Sequence, residues 1–167
     1  LEKTFTNIYI VFKDFKFIIF LIIIIGFWTT YLQLFYSFPN FIDQWMDTSP
    51  FYKFVASKSS FLAKIIGSKE GTVNAEIFAQ INTLYIIILQ LLVSTVVMRF
   101  KALNSMISGI ILNTIGITLM FMFNNPFYLF ISLLFFGIGE MASSPKITEY
   151  IGRLAPKDKK ALYIGMS

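Results

Sequence analysis

Three stretches of this chain contain no charged residue: Phe17 to Ile42, Ile77 to Met98, and Ala102 to Gly139. A helix needs about 20 mainly apolar residues to cross a bilayer. The first two runs each supply one span, and the third is long enough for nearly two. Asn124-Asn125-Pro126 divides it, because two turn formers precede a proline suited to the first turn of a helix. The spacing therefore predicts spans at about 15–38, 76–99, 103–123 and 126–147. The flanking pieces are an end segment 1–14, an outer loop 39–75, an inner loop 148–160, and the start of a further, truncated span at 161–167.

Composition agrees. Residues of hydrophobic type make up 56% of the 167 and charged residues 14%, with a mean hydropathy of +0.71. Soluble domains are usually about 45–50% apolar. The expected fold class is all-α, a polytopic membrane protein with four transmembrane helices. The first run is too long for a signal-peptide core and is not followed by a small-residue cleavage site. The chain starts at Leu1 and stops just as an apolar run begins at Ala161, so it is expected to be a piece of a longer protein.

Four spans put both ends on one side. All of the 14 basic residues except Lys53, Lys58, Lys64 and Lys69 fall on that side. Those four are balanced by Asp43, Asp47, Glu70 and Glu76. The positive-inside rule makes both ends cytoplasmic, in a cell membrane. The net charge of +5 is thus accounted for by topology, and no nucleic-acid role is expected. In the outer loop, Ser49-Pro50 is expected to start an amphipathic helix on the membrane surface, running to Gly67.

With no Cys and no His, disulfides, thiol chemistry and His-based metal or acid–base sites are excluded. No metal, cofactor or enzymatic activity is expected. What remains is Glu140, a lone carboxylate in the run Gly137-Ile138-Gly139-Glu140-Met141-Ala142-Ser143-Ser144-Pro145. Placing an ionised carboxylate at the centre of a membrane helix costs roughly 2.5–3.5 kcal/mol on insertion scales. It must face a polar cavity, find a partner or take up a proton. A fixed ion pair with a base elsewhere in the protein is the alternative.

Other polar residues fall on helical faces. Thr29, Thr30, Gln33 and Ser37 share one face of the first span, with Trp28 nearby. The second span carries Asn82, Thr83, Gln90 and Ser94. Gly109, Asn113, Gly116 and Met120 form a small, polar stripe in the third, a pattern that favours close helix packing. Pro145 removes a backbone hydrogen bond near the end of the fourth span, which makes it a candidate hinge or a simple bend.

The run Gly139-Glu140-Met141-Ala142-Ser143-Ser144-Pro145, then Arg153-Leu154-Ala155-Pro156, then Ala161-Leu162-Tyr163-Ile164-Gly165-Met166, resembles the tenth and early eleventh helices of the proton-dependent oligopeptide transporters. These belong to the major facilitator superfamily. Phe27-Trp28 followed by Gln33 resembles their seventh helix, and Asn82 falls where they carry an Asn at the start of the eighth. The chain departs from the pattern at Lys146-Ile147-Thr148, Thr83, Gln90 and Ala161. The resemblance implies helices seven to ten, part of the C-terminal half of a major facilitator fold whose N-terminal half lies elsewhere in the protein. It implies proton-coupled uptake of peptides or another small polar metabolite by alternating access. Glu140 then serves proton coupling or substrate binding, Asn82, Gln33 and Trp28 bind substrate, and Pro145 is a hinge. The partners are a small-molecule substrate, protons and the lipid bilayer. A major facilitator transporter for a different substrate, or a membrane assembly or receptor subunit without transport, are the alternatives.

Overall fold

The structure, a computed structural model, describes residues 12–68, 70–156 and 159–165. Most of the expected end segment 1–14, Lys69 of the outer loop, Lys157 and Asp158 of the inner loop, and Met166-Ser167 of the truncated span lie outside the described residues. The described chain is helical, with one isolated bridge between Gly67 and Val73. The helices are α1 (Phe15–Trp45), α2 (Ser49–Lys58), α3 (Ser60–Ile66), α4 (Ala75–Val97), α5 (Ala102–Met122), α6 (Pro126–Leu154) and α7 (Lys160–Gly165). α1, α4, α5 and α6 are long and apolar enough to cross a membrane.

The boundaries follow local chemistry. The Asp14 carboxylate accepts from the Phe17 amide at 3.2 Å and caps α1. Asn125 caps α6, accepting from the Phe127 amide at 3.0 Å, with Pro126 in the first turn. The short connections α4–α5 and α5–α6 force antiparallel neighbours.

Helix bounds differ from the expected spans and outer-loop helix in four places. α1 extends to Trp45 rather than ending near 38, carrying Pro39 inside it. α6 runs through Pro145 to Leu154, so Thr148 to Leu154 are helical and not loop. The amphipathic segment is two helices rather than one. It breaks at Ser59, whose extended backbone ends α2 and whose hydroxyl accepts from the Leu62 amide to start α3. The start of α2 also differs: Thr48 occupies the cap position, and Ser49 and Pro50 open the helix. The capping oxygen comes from Asp47, which accepts from the Ser49 amide at 2.9 Å and from the Ser49 hydroxyl. These bonds, the hydroxyl's first, hold Asp47 below the ordinary aspartate pKa. The Thr48 hydroxyl instead accepts from the Val73 amide at 3.0 Å and ties α2 to the approach to α4. Gly71, at φ +74°, makes the turn between them.

α6 is the most buried of the four long helices and packs against α4 and α5. Its contact with α5 is at backbone distance. A Cβ on Gly139 would meet the Asn113 amide nitrogen at 2.4 Å and the Gly109 carbonyl at 2.5 Å; one on Gly116 would meet the Phe136 nitrogen at 2.5 Å. Asn113 donates its side-chain amide to the Phe136 carbonyl at 3.3 Å. The stripe Gly109, Asn113, Gly116 and Met120 is therefore a packing seam.

Two apolar clusters result. One joins Leu34, Phe38 and Ile42 of α1 to Phe78, Met120, Leu129, Leu133 and Phe136. The other joins Phe17, Phe20, Ile24 and Phe27 to Met106, Ile147, Ile151 and Tyr163. The Tyr163 hydroxyl donates to Asp14 at 3.3 Å and its ring lies 4.6 Å from that of Phe17. The start of α1 and α7 thus sit at the same end of the bundle.

Gly139→Ala should destabilise the protein by about 1–3 kcal/mol, the usual cost of overpacking, because backbone atoms cannot yield to the added methyl. Gly26→Ala, whose methyl meets nothing within 4 Å, should be neutral or slightly stabilising. Denaturant unfolding of the full-length protein in mild detergent measures both. Wild-type stability in Gly139→Ala would refute the backbone contact.

Candidate functional site

Glu140 lies midway along α6. The two clusters meet around it: on α6, Phe136 belongs to one and Ile147 to the other, and on α1, Leu34 and Phe27 are the matching limits. Between these limits the helices carry a polar layer. The Asn82 side-chain amide, from α4, donates to Glu140 Oε2 at 3.1 Å. The Tyr31 phenol, from α1, interacts with the same carboxylate. Three helices thus converge on one acid.

Asn82 is almost fully buried, at 1% exposure. Its nitrogen is used by Glu140, and its Oδ1 has no hydrogen-bond partner among the described residues. A buried amide oxygen without a donor costs free energy of about 1–3 kcal/mol. Its position depends on Gly137, where a Cβ would stand 2.8 Å from that Oδ1. The pair of an acceptor-only carboxylate and an orphaned amide oxygen makes the layer rich in acceptors and short of donors.

Glu140 forms no ion pair among the described residues. The ion pairs of α6 involve its other carboxylate: Glu149 binds Lys146 at 2.6 Å and Arg153 at 2.7 Å. Lys146, one of the departures noted above, is buried at 8% exposure.

The structure brings Asn82 and Glu140 together and adds Tyr31, which sequence reasoning missed. The signal lay in its place one turn after Phe27-Trp28, but an aromatic residue in an aromatic-rich span carries no mark of its own. Trp28 is partly exposed and packs edge-on against Tyr31, with centroids 5.4 Å apart. Gln33 stands apart from the cluster, about 160° round the helix from Tyr31. It is exposed and accepts from Ser37 of its own helix. Thr83 and Gln90 are also exposed on α4.

Pro145 is exposed inside α6. It lacks the N–H that would bond the Met141 carbonyl. Nearby carbonyls receive hydroxyls instead: Ser143 donates to Gly139 at 2.7 Å, and Ser105 of α5 donates to Ala142 at 3.1 Å. No metal-holding group of acidic side chains occurs among the described residues.

No family model, curated protein or solved structure matches the chain.

The double-mutant cycle of Asn82→Ala and Glu140→Ala should show coupling of about 0.6–1.7 kcal/mol, between the average and the largest value measured for interhelical bonds in a membrane protein. Unfolding in mild detergent gives the four stabilities. Strict additivity would remove the bond from the site.

Proposed function

We propose that the chain is part of a secondary active transporter, with Glu140 as the group that couples substrate movement to a proton. The observation that carries this reading is the company Glu140 keeps. Its described neighbours are an amide and a phenol, both neutral donors, and no cation. An acid held by a fixed ion pair is locked in one charge state. An acid held by neutral donors is free to change it when its surroundings change, since burial favours the neutral carboxyl and nearby cations favour the charged one. Intramembrane carboxylates in such settings commonly serve proton relays or substrate paths.

The mechanism is alternating access within a major facilitator fold, of which these helices form part of the C-terminal half. Glu140 is charged while it holds its ligand, and protonation from one side loosens that hold. Asn82 shares the ligand through its free Oδ1. Tyr31 orients the carboxylate, and Trp28 packs Tyr31 in place. The resemblance in Gly139-Glu140 and Ser144-Pro145 makes peptides the first substrate class to test, and both ends of the chain are cytoplasmic on the positive-inside rule.

The test is uptake of a labelled dipeptide by cells expressing the full-length parent, with and without an inward proton gradient. Wild type should accumulate the dipeptide only with the gradient, and Glu140→Gln should lose uphill accumulation while keeping some exchange. Tyr31→Phe should slow uptake by roughly 10- to 150-fold, the loss expected from a hydrogen bond to a charged group worth about 1.5–3 kcal/mol. Uphill uptake at the wild-type level in Glu140→Gln would defeat the coupling role. Folded protein that moves no dipeptide points to a different small metabolite, and protein that moves none at all points to an assembly subunit.

A further inference from the structure

A groove of about 400 Å³ runs between α1, α5 and α6 at the end of the bundle where α1 begins. Its walls include Ile19, Leu103, Ile107 and Ile110, and Lys16 and Tyr150 stand in it as the polar groups. Lys16 is exposed and has no ion-pair partner among the described residues. The carboxylates on neighbouring turns are engaged elsewhere: Asp14 with the Phe17 amide and Tyr163, and Glu149 with Lys146 and Arg153.

The groove continues. A second hollow of about 240 Å³ shares Ile23 and Ile110 with it and reaches Gly26 and Thr30. At 1.5 Å per residue, Gly26 lies about 15 Å along α1 from Lys16. The polar side chains there are already satisfied. Thr30 donates to the Gly26 carbonyl at 2.8 Å, Thr114 to the Ile110 carbonyl at 2.9 Å, and Asn113 to the Phe136 carbonyl. The upper groove therefore asks for no polar occupant, and Gly26 leaves it open. A long apolar slot with one uncompensated cation at its mouth is complementary to a fatty chain bearing an anionic head.

We propose that this groove binds an anionic phospholipid, its phosphate at Lys16 and one acyl chain laid along α1 and α5. The proposal requires only that the four long helices lie in a membrane, and does not rest on the transport reading. A comparison is built into the molecule. On the far side of α5 a groove of about 390 Å³, lined by residues such as Leu92, Val96 and Leu112, has no charged residue in its wall. It offers a chain the same apolar shelter without Lys16, although Arg99 and Lys101 flank Phe100 at its end.

The experiment places a photo-reactive benzoylphenylalanine at Ile107 in the full-length protein, reconstituted in vesicles of equimolar phosphatidylglycerol and phosphatidylcholine with identical chains. Mass spectrometry of the adducts gives the ratio of the two lipids. Phosphatidylglycerol should exceed phosphatidylcholine about fivefold, as expected for one lysine near an anionic head. Lys16→Gln should lower the ratio at Ile107 to near one, while the ratio given by the same probe at Leu92 should be unchanged by Lys16→Gln. The ratio is internal to each sample, so the amount of protein recovered does not alter it, and Lys16→Arg, which keeps the charge, should keep the wild-type ratio. A ratio near one at Ile107 in wild type, or an unchanged ratio in Lys16→Gln, overturns the proposal. So does a probe that captures only protein, which would show another helix of the parent covering the groove.

Discussion

Every polar atom that enters these helices must be met by another, because hydrocarbon supplies no hydrogen bonds. Most meet the demand within their own helix. Thr30, Thr95, Thr114, Thr118, Ser132 and Ser143 each donate to the carbonyl four residues back. Others cross between helices: Asn113 and Ser105 join α5 to α6, Asn82 and Tyr85 join α4 to α6, and Tyr31 joins α1 to α6. Asn82 Oδ1 is left unmet. Among the buried side-chain nitrogens and oxygens of the described residues it is the exception, and it marks a place where a further donor is wanted.

α6 carries the consequences of this constraint. Gly139 lets it touch the α5 backbone, and Gly137 leaves the space that Asn82 fills. Glu140 follows these two glycines directly. The side chain with the highest cost in an apolar setting therefore sits where the helix has least bulk and its neighbours come closest. The close seam holds one flank of α6 rigid while the acid projects toward α4 and α1. Such support by packing is what keeps a polar constellation at a fixed geometry.

The four long helices were legible because charge is costly in a membrane, so its absence over long runs marks them. The stripe Gly109, Asn113, Gly116 was legible as a seam because small residues at helical spacing permit close approach. Ends were less so. A helix need not end where an apolar run ends: α1 continues through Pro39 to Trp45, and α6 continues past Lys146 through Glu149 and Arg153 to Leu154. The break at Ser59 was hidden because an amphipathic pattern tolerates a one-residue interruption. Glu140 and Asn82 announced themselves as polar residues in apolar runs, but their meeting depends on the helix arrangement. Tyr31 was invisible for the same reason, and Gln33 stood out by type while its place on α1 turns it from the cluster.

The two carboxylates of α6 state the functional argument most sharply. Glu149 lies between Lys146 and Arg153 and bonds to both. It accepts from both cations and neutralises Lys146, which is buried. Glu140, on the same helix, has only neutral donors. A single helix thus presents one acid whose charge is fixed by its partners and one whose charge is left to its environment. Where two like groups are placed in such different surroundings, the difference assigns their roles. The pinned acid is structural; the other keeps only neutral partners among the described residues, and the proposed proton role rests on that difference.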